Sequence, residues 1–313
     1  MTSERRVTVQ VPASTSNLGS GFDALGMALQ IHSRYDVTFV DDGPPFEIVA
    51  TGLNAERIPT DESNLALQAF RKLCSSVGQE PPPIHMRVLN GIPLERGLGG
   101  SASAILGGML AANAAMPEPL DNDAVLSLAT ELDGHADNVT ASLYGGLRVA
   151  CRDGAKVLSL PIAPADDLQI VLAVPRISVA TKAARTILPT DVPLADAAFN
   201  VGRAALLVAA FASLEYSYLD VAMDDRLHQR HRTLLIPQMD AVFLAAKEAG
   251  ALAAALSGSG PSIIAFCLTG AEDVGEAMRR AFASGRVDAT VHITTIDFRG
   301  ASVTIDRGQD TTP

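Results

Sequence analysis

The stretch from Pro93 to Ala104, P-L-E-R-G-L-G-G-S-A-S-A, combines the residue types that bind phosphate. Its glycines let the backbone approach an anion closely and adopt positive φ. The alanine-rich run that follows is helical in character, and the free N–H groups and dipole at a helix N-terminus attract negative charge. Ser101 or Ser103 is expected to cap this helix. The pattern predicts a phosphate-binding loop, although it lacks the G-K-[ST] that ends the usual P-loop.

A second stretch, Pro12 to Ala28, is dense in small polar residues and glycine and then turns apolar around Asp23. Its segment Ser14 to Asn17 is also typical of a purely structural turn. A carboxylate between Phe22 and Ala24 needs a partner, because burying an unpaired charge is unfavourable. We therefore expect Asp23 to meet a cationic group of a ligand.

His135 belongs to a polar cluster in an otherwise apolar region, beside Glu131, Asp133, Asp137 and Asn138. A lone histidine is usually a satisfied core or surface group. The acidic and amide neighbours favour a functional role here.

Two features of the C-terminal half also suit a binding site. Arg226 to Arg232, R-L-H-Q-R-H-R, is a basic cluster in a chain of formal net charge −11. It is either a solvated face or a wall that binds an anion. Ser257 to Pro261, S-G-S-G-P, is a tight turn between two apolar strands, which suits close approach to a ligand.

The elements around these residues indicate a mixed fold. Tyr35 to Val40 and Phe46 to Ala50 are predicted to form a hairpin. An amphipathic helix running to about Val77 is expected to be capped by Asp61 or Ser63. After about residue 166 the order is strand, helices, strand, strand, helix, strand, which is that of a split βαβ, ferredoxin-like unit.

Composition limits the classes of protein. A chain of 313 residues with 48% hydrophobic content is globular and suggests roughly two domains. The net charge of −11 argues against nucleic acid and anionic lipid as partners. Its longest unbroken apolar stretch, Ala204 to Ala212, is shorter than the ~20 residues of a membrane span. Widely spaced Cys74, Cys151 and Cys267 and the absence of a signal-peptide pattern predict a cytoplasmic protein.

Three motifs, at Pro12 to Asp23, Pro93 to Ala102 and Ser257 to Pro261, together resemble the signatures of the GHMP small-molecule kinases. N-L-G-S-G-F-D and H-A-D-N-V most closely resemble the members that phosphorylate L-homoserine. The resemblance spans nearly the whole chain and implies an α+β fold. Residues 1–166 would form an ATP-binding domain like ribosomal protein S5 domain 2, and residues 167–313 a ferredoxin-like sandwich. It also implies Mg²⁺, threonine biosynthesis and a homodimer.

The resemblance implies residue roles as well. The residues expected to bind ATP are Asn64, Pro93, Arg96, Gly97, Leu98, Gly99, Gly100, Ser101, Ala102 and Ser103. Those expected to bind L-homoserine are Asn17, Asp23, Thr181, Arg185, Arg232 and Gly260. His135 and Asn138 would lie near the hydroxyl that accepts the phosphoryl group. Asn17 and Asp23 would hold the ammonium of this zwitterion, which needs an anionic partner. Arg185 and Arg232 would hold its carboxylate, which suits a guanidinium.

Departures from the family pattern leave some roles open. Gly100 stands where serine is common, so Ser101 is the first choice for reaching magnesium and Ser103 the second. D-G-H-A-D-N replaces the common E-G-H-P-D-N, so the acidic magnesium ligand is either Asp133 or Glu131. Arginine and histidine replace proline and tyrosine before Arg232, which leaves open which arginine of the basic cluster meets the carboxylate.

No aspartate is aligned with the acceptor hydroxyl by the motif, because Asn138 occupies that position. We therefore expect orientation of the hydroxyl, with its proton lost late or to a phosphate oxygen. Two alternatives remain: a GHMP kinase for another small alcohol such as mevalonate, and a catalytically silent nucleotide-binding regulator.

Overall fold

The computed structural model describes residues 5–307, apart from the side chains of Thr181 and Arg307. The strands are β1 (Arg5–Ser16), β2 (Leu25–Phe39), β3 (Phe46–Gly52), β4 (Ile84–Asn90), β5 (Leu147–Asp153), β6 (Lys156–Ile162), β7 (Gln169–Pro175), β8 (Ala253–Leu256), β9 (Ile263–Cys267), β10 (Ala289–Thr294) and β11 (Ser302–Arg307). The α-helices are α1 (Leu65–Ser76), α2 (Gly100–Ala115), α3 (Asn122–Asp133), α4 (Ala136–Tyr144), α5 (Thr181–Thr186), α6 (Leu194–Ser213), α7 (Leu219–Ala222), α8 (Gln229–Arg232), α9 (Met239–Glu248) and α10 (Ala271–Ser284).

The first sheet runs in the order β11-β1-β2-β4-β3, and β5 pairs with β2 and carries β6. β1 is a strand because the β-branched Val7, Val9 and Val11 alternate and are fully buried in the first core cluster. The apolar helix α2 packs against β1 and α1. The loop before α2 therefore lies beside the end of β1, where the Ser14 amide donates to the Leu98 carbonyl at 3.2 Å.

The predicted hairpin between Tyr35–Val40 and Phe46–Ala50 is wrong. β4 lies between these two strands, antiparallel to β2 and parallel to β3, with Phe46 opposite Ile84. Every second residue of β4 is buried, which suits a central strand, whereas β3 is largely exposed and forms the edge.

The second sheet is antiparallel in the order β10-β7-β9-β8. With α9 before β8 and α10 before β10, this is the ferredoxin-like arrangement that the order of elements predicts. One face of the sheet packs against α9 and α10. A separate core cluster joins the ends of β1 and β2 to β7, β9 and α6, so the two halves share apolar packing.

Helix α6 is the one helix, within the part of the chain described, that is long and apolar enough to cross a membrane by length and composition. A single helix of this kind is weak evidence of a membrane span. Leu207, Ala210 and Phe211 of α6 are buried in the core that joins the two halves.

The chain returns to the first sheet at its end, because β11 pairs with β1. Asp297, which is 3% exposed, holds the segment before β11 in place. Its carboxylate lies 2.7 Å from His32 Nε2 and accepts the backbone amides of Arg299 and Gly300 at 2.8 Å. Burial opposes ionisation of Asp297, but these donors outweigh it and hold the pKa below the usual range.

Asp297→Asn is expected to lower the free energy of unfolding by about 1 to 3 kcal/mol at neutral pH, because it removes charge-assisted bonds. A carboxyl with a depressed pKa stabilises the fold above its unfolded-state pKa of about 4, and that contribution disappears as the pH falls through the folded-state value. The difference between wild type and variant should therefore shrink below about pH 4 in urea titrations. A difference that is constant from pH 3 to pH 7 would contradict this role.

Candidate active site

A cleft of about 330 Å³ brings most of the predicted site residues together. It lies among the loop after β1, the starts of α2 and α4, the helix α5 and the S-G-S-G-P turn. The predicted residues that line it are Asn17, Asp23, Asn64, Arg96, Gly97, Leu98, Gly99, Gly100, Ser101, Asp133, His135, Asn138, Arg185 and Arg232. Thr181 was also predicted, but its side chain lies outside the described residues.

The predicted residues that do not line the cleft are Pro93, Ala102, Ser103, Glu131 and Gly260. Ala102 and Ser103 are buried on the inner face of α2, where Ser103 Oγ lies 3.2 Å from the hydroxyl of Tyr35. Glu131 pairs at 2.9 Å with Lys72 on the surface. Neither Ser103 nor Glu131 is therefore placed to reach magnesium in the cleft.

The phosphate-binding loop enters α2 through Gly99, which is the N-cap at φ 70°. The expectation that Ser101 or Ser103 caps the helix is wrong, because no side chain caps this described terminus. A Cβ on Gly99 would lie 2.1 Å from Ser14 Oγ, and one on Gly97 would lie 2.0 Å from the Ser257 carbonyl oxygen. Close backbone packing thus requires glycine at both positions, and it leaves the first turn of α2 open to an anion.

The end of the cleft beside the start of α1 is mostly apolar, lined by Ile58, Pro59, Leu65, Val88 and Leu94. Leu94 belongs to the Pro93–Ala104 stretch and Leu65 follows the predicted Asn64, whereas Ile58, Pro59 and Val88 belong to no motif and were not predicted.

Asn64 has a structural role at this end. It caps α1 by accepting the amides of Ala66 and Leu67 at 3.0 and 3.1 Å, and its Nδ2 donates to the Pro59 carbonyl at 2.7 Å. The prediction of Asp61 or Ser63 as the cap is wrong. Asn64 lines this apolar end of the cleft while its amide fixes the start of α1.

Asn138 is held in one orientation by the end of β1. Its Oδ1 accepts from Ser14 Oγ at 3.0 Å, and its Nδ2 donates to Ser16 Oγ at 2.9 Å. Ser142 supports Ser14 with a further hydroxyl contact at 2.9 Å. Ser14 to Ser16 thus form the end of β1 rather than a turn, and two of these residues hold Asn138 in the cleft.

Two acidic groups lie at the entrance of α4. Asp133 is 3.7 Å from His135 Nδ1, and this carboxylate raises the pKa of His135 against the effect of burial. Asp137 is 2% exposed and accepts the Asn138 amide at 2.7 Å. Burial raises the pKa of Asp137 to about 6, and the nearby Asp23 acts in the same direction. Asp137 also lines the cleft, although the sequence analysis named it only as a neighbour of His135.

Asp23 and Arg185, predicted for opposite ends of the substrate, are bonded to each other. Arg185 Nη1 donates to Asp23 Oδ1 at 2.9 Å, and Nη2 donates to Oδ2. Both side chains are partly exposed, at 38% for Asp23 and 43% for Arg185. Asn17 supports the loop, since its Oδ1 accepts the Asp23 amide at 3.0 Å.

Arg232 is the arginine of the basic cluster that reaches the cleft, and it is 2% exposed. It donates to the carbonyls of Ala184 and Gly258 at 3.2 and 3.1 Å. Burial, aided by Arg185, lowers its pKa to about 10. No described acidic side chain forms a salt bridge with it. Arg230 instead pairs with Asp196 away from the cleft.

The turn Ser257–Pro261 contributes Gly258 and Ser259 to the cleft rather than Gly260. The Gly258 carbonyl accepts from Arg232 at 3.1 Å and from Asn17 Nδ2 at 2.8 Å. A Cβ on Gly260 would contact the apolar side chains of Ile236 and Leu256. The turn therefore acts through the Gly258 carbonyl, which ties the two halves together.

His228, which sequence reasoning did not single out, fixes the guanidinium of Arg232. It is fully buried, its Nδ1 lies 2.9 Å from Arg232 Nη1, and its Nε2 lies 2.8 Å from the Gly19 carbonyl. Arginine only donates and a carbonyl only accepts, so the proton is on Nε2. Burial lowers the pKa of His228 to about 4, which keeps the ring neutral. The ring also stacks on Phe22 at 4.9 Å.

His228→Leu is expected to raise the KM for a substrate whose carboxylate binds Arg232 by about tenfold, with kcat nearly unchanged, because Arg232 loses one of its three acceptors. His228→Asn should retain most of the affinity, since Oδ1 can replace Nδ1. With a pKa of about 4, the effect should not vary between pH 5.5 and pH 8. Steady-state kinetics would contradict this role if the asparagine and leucine variants behave alike.

The cleft can also accommodate a magnesium ion. The Ser101 hydroxyl at the start of α2 and the Asp133 carboxylate, only 6% exposed, both line it. The described residues contain no group of three or more acidic, cysteine or histidine ligands. One carboxylate and one hydroxyl suit Mg²⁺, which is usually bound by one or two protein oxygens together with substrate phosphates and water.

The family model for the N-terminal domain of GHMP kinases matches residues 64–146, and the model for their C-terminal domain matches residues 207–284. The chain therefore belongs to the GHMP kinase family, and the predicted α+β fold class is confirmed. Its relatives include the homoserine kinase of Moorella thermoacetica, 43% identical over 90% of this chain and 95% of that protein. The homoserine kinase of Carboxydothermus hydrogenoformans is 42% identical over 94% of this chain and 96% of that protein.

Solved structures agree with this assignment. The crystal structure of homoserine kinase from Cytophaga hutchinsonii matches with a TM-score of 0.86 and 29% identity, over 96% of this chain and 97% of that chain. A mevalonate kinase from L. major has a TM-score of 0.64 at 15% identity, over 95% of this chain and 96% of that chain. That second likeness indicates the fold alone.

Proposed function

We propose that this protein transfers the γ-phosphoryl group of ATP to the side-chain hydroxyl of L-homoserine, in threonine biosynthesis. The observation that carries the proposal is the charge pattern of the cleft. Arg232 is a buried guanidinium with no salt-bridge partner among the described residues, and the Asp23 carboxylate lies in the same cleft. An α-amino acid supplies an anion for the first and a cation for the second.

The phosphoryl donor binds at the opposite end of the cleft. The apolar lining holds the base, while the open first turn of α2 and the backbone of Gly97 to Ser101 hold the phosphates. Ser101 and Asp133 would hold Mg²⁺, which would supply neutralisation of the phosphate charge, as in other phosphoryl-transfer enzymes.

The acceptor hydroxyl lies at the start of α4 in this proposal. Asn138, locked by Ser14 and Ser16, orients the hydroxyl, and its proton leaves to a phosphate oxygen. Asp137 is the other candidate acceptor for the proton, because it lines the cleft and its pKa of about 6 leaves it mostly ionised at neutral pH. A pH profile of kcat in wild type and Asp137→Asn separates the two. A limb near pH 6 that the variant removes identifies Asp137 as the base.

A coupled ADP-release assay over L-homoserine, L-threonine, L-serine and mevalonate tests the reaction. We expect kcat/KM for L-homoserine to exceed that for the others by about 100-fold or more, because only it combines both charges with a hydroxyl at the right distance. A preference for mevalonate would replace the substrate assignment. ATP binding without turnover of any of these alcohols would favour the silent regulator.

We also propose a cytoplasmic homodimer. Supporting this, Leu158 and Leu160 of the edge strand β6 are 55% and 72% exposed, and Val201 of the neighbouring α6 is 71% exposed. Adjacent apolar side chains of this kind favour burial against another molecule. Light scattering of wild type and Leu160→Glu tests the association, and a wild-type mass of one chain would exclude the dimer.

A further inference from the structure

The Asp23–Arg185 ion pair joins the two groups expected to hold opposite ends of the substrate. Asp23 lies in the loop after β1, whereas Arg185 lies in α5, beyond β7 in the second half of the chain. The pair is bidentate, with both carboxylate oxygens occupied by the guanidinium. A ligand therefore meets each group with its charge already paired, and it can replace the partner only when this contact opens.

We propose that this ion pair is a specificity latch, which opens without loss of charge pairing only for a ligand that carries both an ammonium and a carboxylate. Such a zwitterion replaces Arg185 at Asp23 with its ammonium, and it replaces Asp23 at Arg185 with its carboxylate. The proposal rests on the proposed function, since it assumes that an α-amino acid binds in this cleft.

Ligands with one charge open the latch at a disadvantage. A ligand carboxylate that binds Arg185 leaves the Asp23 carboxylate unpaired and close to the negative charge of the ligand. An amine that takes Asp23 releases Arg185 next to Arg232, whose pKa is already lowered by burial and by Arg185. Like charges held close together are unfavourable, so both kinds of ligand bind more weakly than the loss of one contact would predict.

Phe22 keeps both guanidinium groups near the latch. The guanidinium carbon of Arg185 lies 5.3 Å from the ring centroid of Phe22, and that of Arg232 lies 5.8 Å from it. This aromatic face does not depend on Asp23. Arg185 can therefore leave Asp23 and remain within reach of a ligand carboxylate.

The test measures binding to Asp23→Asn by calorimetry without nucleotide. Asparagine tolerates the φ of 55° at this position, so the loop is expected to keep its shape. The ligands are L-homoserine and 4-hydroxybutanoate, which keeps the carboxylate and hydroxyl but lacks the amine. The variant should bind L-homoserine at least tenfold more weakly, and it should bind 4-hydroxybutanoate about three- to tenfold more tightly than wild type does.

Glu95→Gln is the matched control, because it removes a carboxylate that lines the same cleft but pairs with Arg57 rather than with Arg185. It should change 4-hydroxybutanoate affinity by less than twofold. An equal gain in both variants would overturn the latch in favour of general electrostatics, as would an unchanged affinity in Asp23→Asn. Failure of wild type to bind L-homoserine would instead refute the proposed function, so the two failures are distinguishable.

Discussion

Replacing Arg232 with alanine is expected to raise the KM for L-homoserine by about 10- to 1000-fold, with little change in ATP affinity. The guanidinium is 2% exposed and has no described salt-bridge partner, so the substrate carboxylate would form its direct ion pair. Losing a buried charge-assisted contact costs about 1.5 to 4 kcal/mol, which corresponds to that range of affinity. Initial-rate kinetics at saturating ATP measure the effect.

Arg230→Ala provides the control from the same basic cluster. Arg230 is exposed and pairs with Asp196 at 2.8 Å, outside the cleft. Its KM for L-homoserine should stay within about threefold of wild type, as is usual for an exposed ion pair. If Arg230→Ala gives the larger effect, the carboxylate site lies elsewhere on the basic cluster.

The parts of the fold that local sequence determines were predictable. Helix α2 follows the glycine-rich loop as predicted, although it begins at Gly100, ahead of the two serines that were expected to cap it. The second sheet follows from the order of its elements, because split βαβ units admit few arrangements. The family motifs also predicted that the loop, Asp23, Asn138 and Arg232 lie in one cleft.

The errors arise where distant segments decide the structure. The hairpin between β2 and β3 is a local expectation, and only the distant strand β4, with its alternating buried residues, displaces it. The Asp23–Arg185 contact was not foreseen either, since the two residues are 162 positions apart. The sequence led us to expect a cationic group of a ligand as the partner of Asp23, whereas in the structure that partner is Arg185.

Positioning residues were equally hard to recognise. His228 reads as one more member of a basic cluster, because only its full burial and its contacts with Gly19 and Arg232 reveal a neutral, orienting ring. Ser14 reads as a turn former, although it fixes Asn138. Residues that carry out chemistry can be predicted from the spacing of motifs. The residues that hold them in position depend on packing between distant parts of the chain.

Gly99→Ala should reduce ATP affinity by about 100-fold or more, whereas Gly100→Ala should leave it within about threefold. At Gly99 the new Cβ would lie 2.1 Å from Ser14 Oγ and 3.0 Å from the Ser14 amide nitrogen, at a φ of 70° that alanine rarely adopts. The loop or the end of β1 must then move, and Ser14 would carry the disturbance to Asn138. At Gly100 the nearest atom is Leu94 Cδ2 at 3.7 Å, so a side chain fits and should slightly stabilise α2. Calorimetric titration with ATP, alongside thermal unfolding, measures both variants. Equal losses of ATP affinity at the two glycines would show that side-chain bulk, rather than the backbone geometry of Gly99, limits phosphate binding.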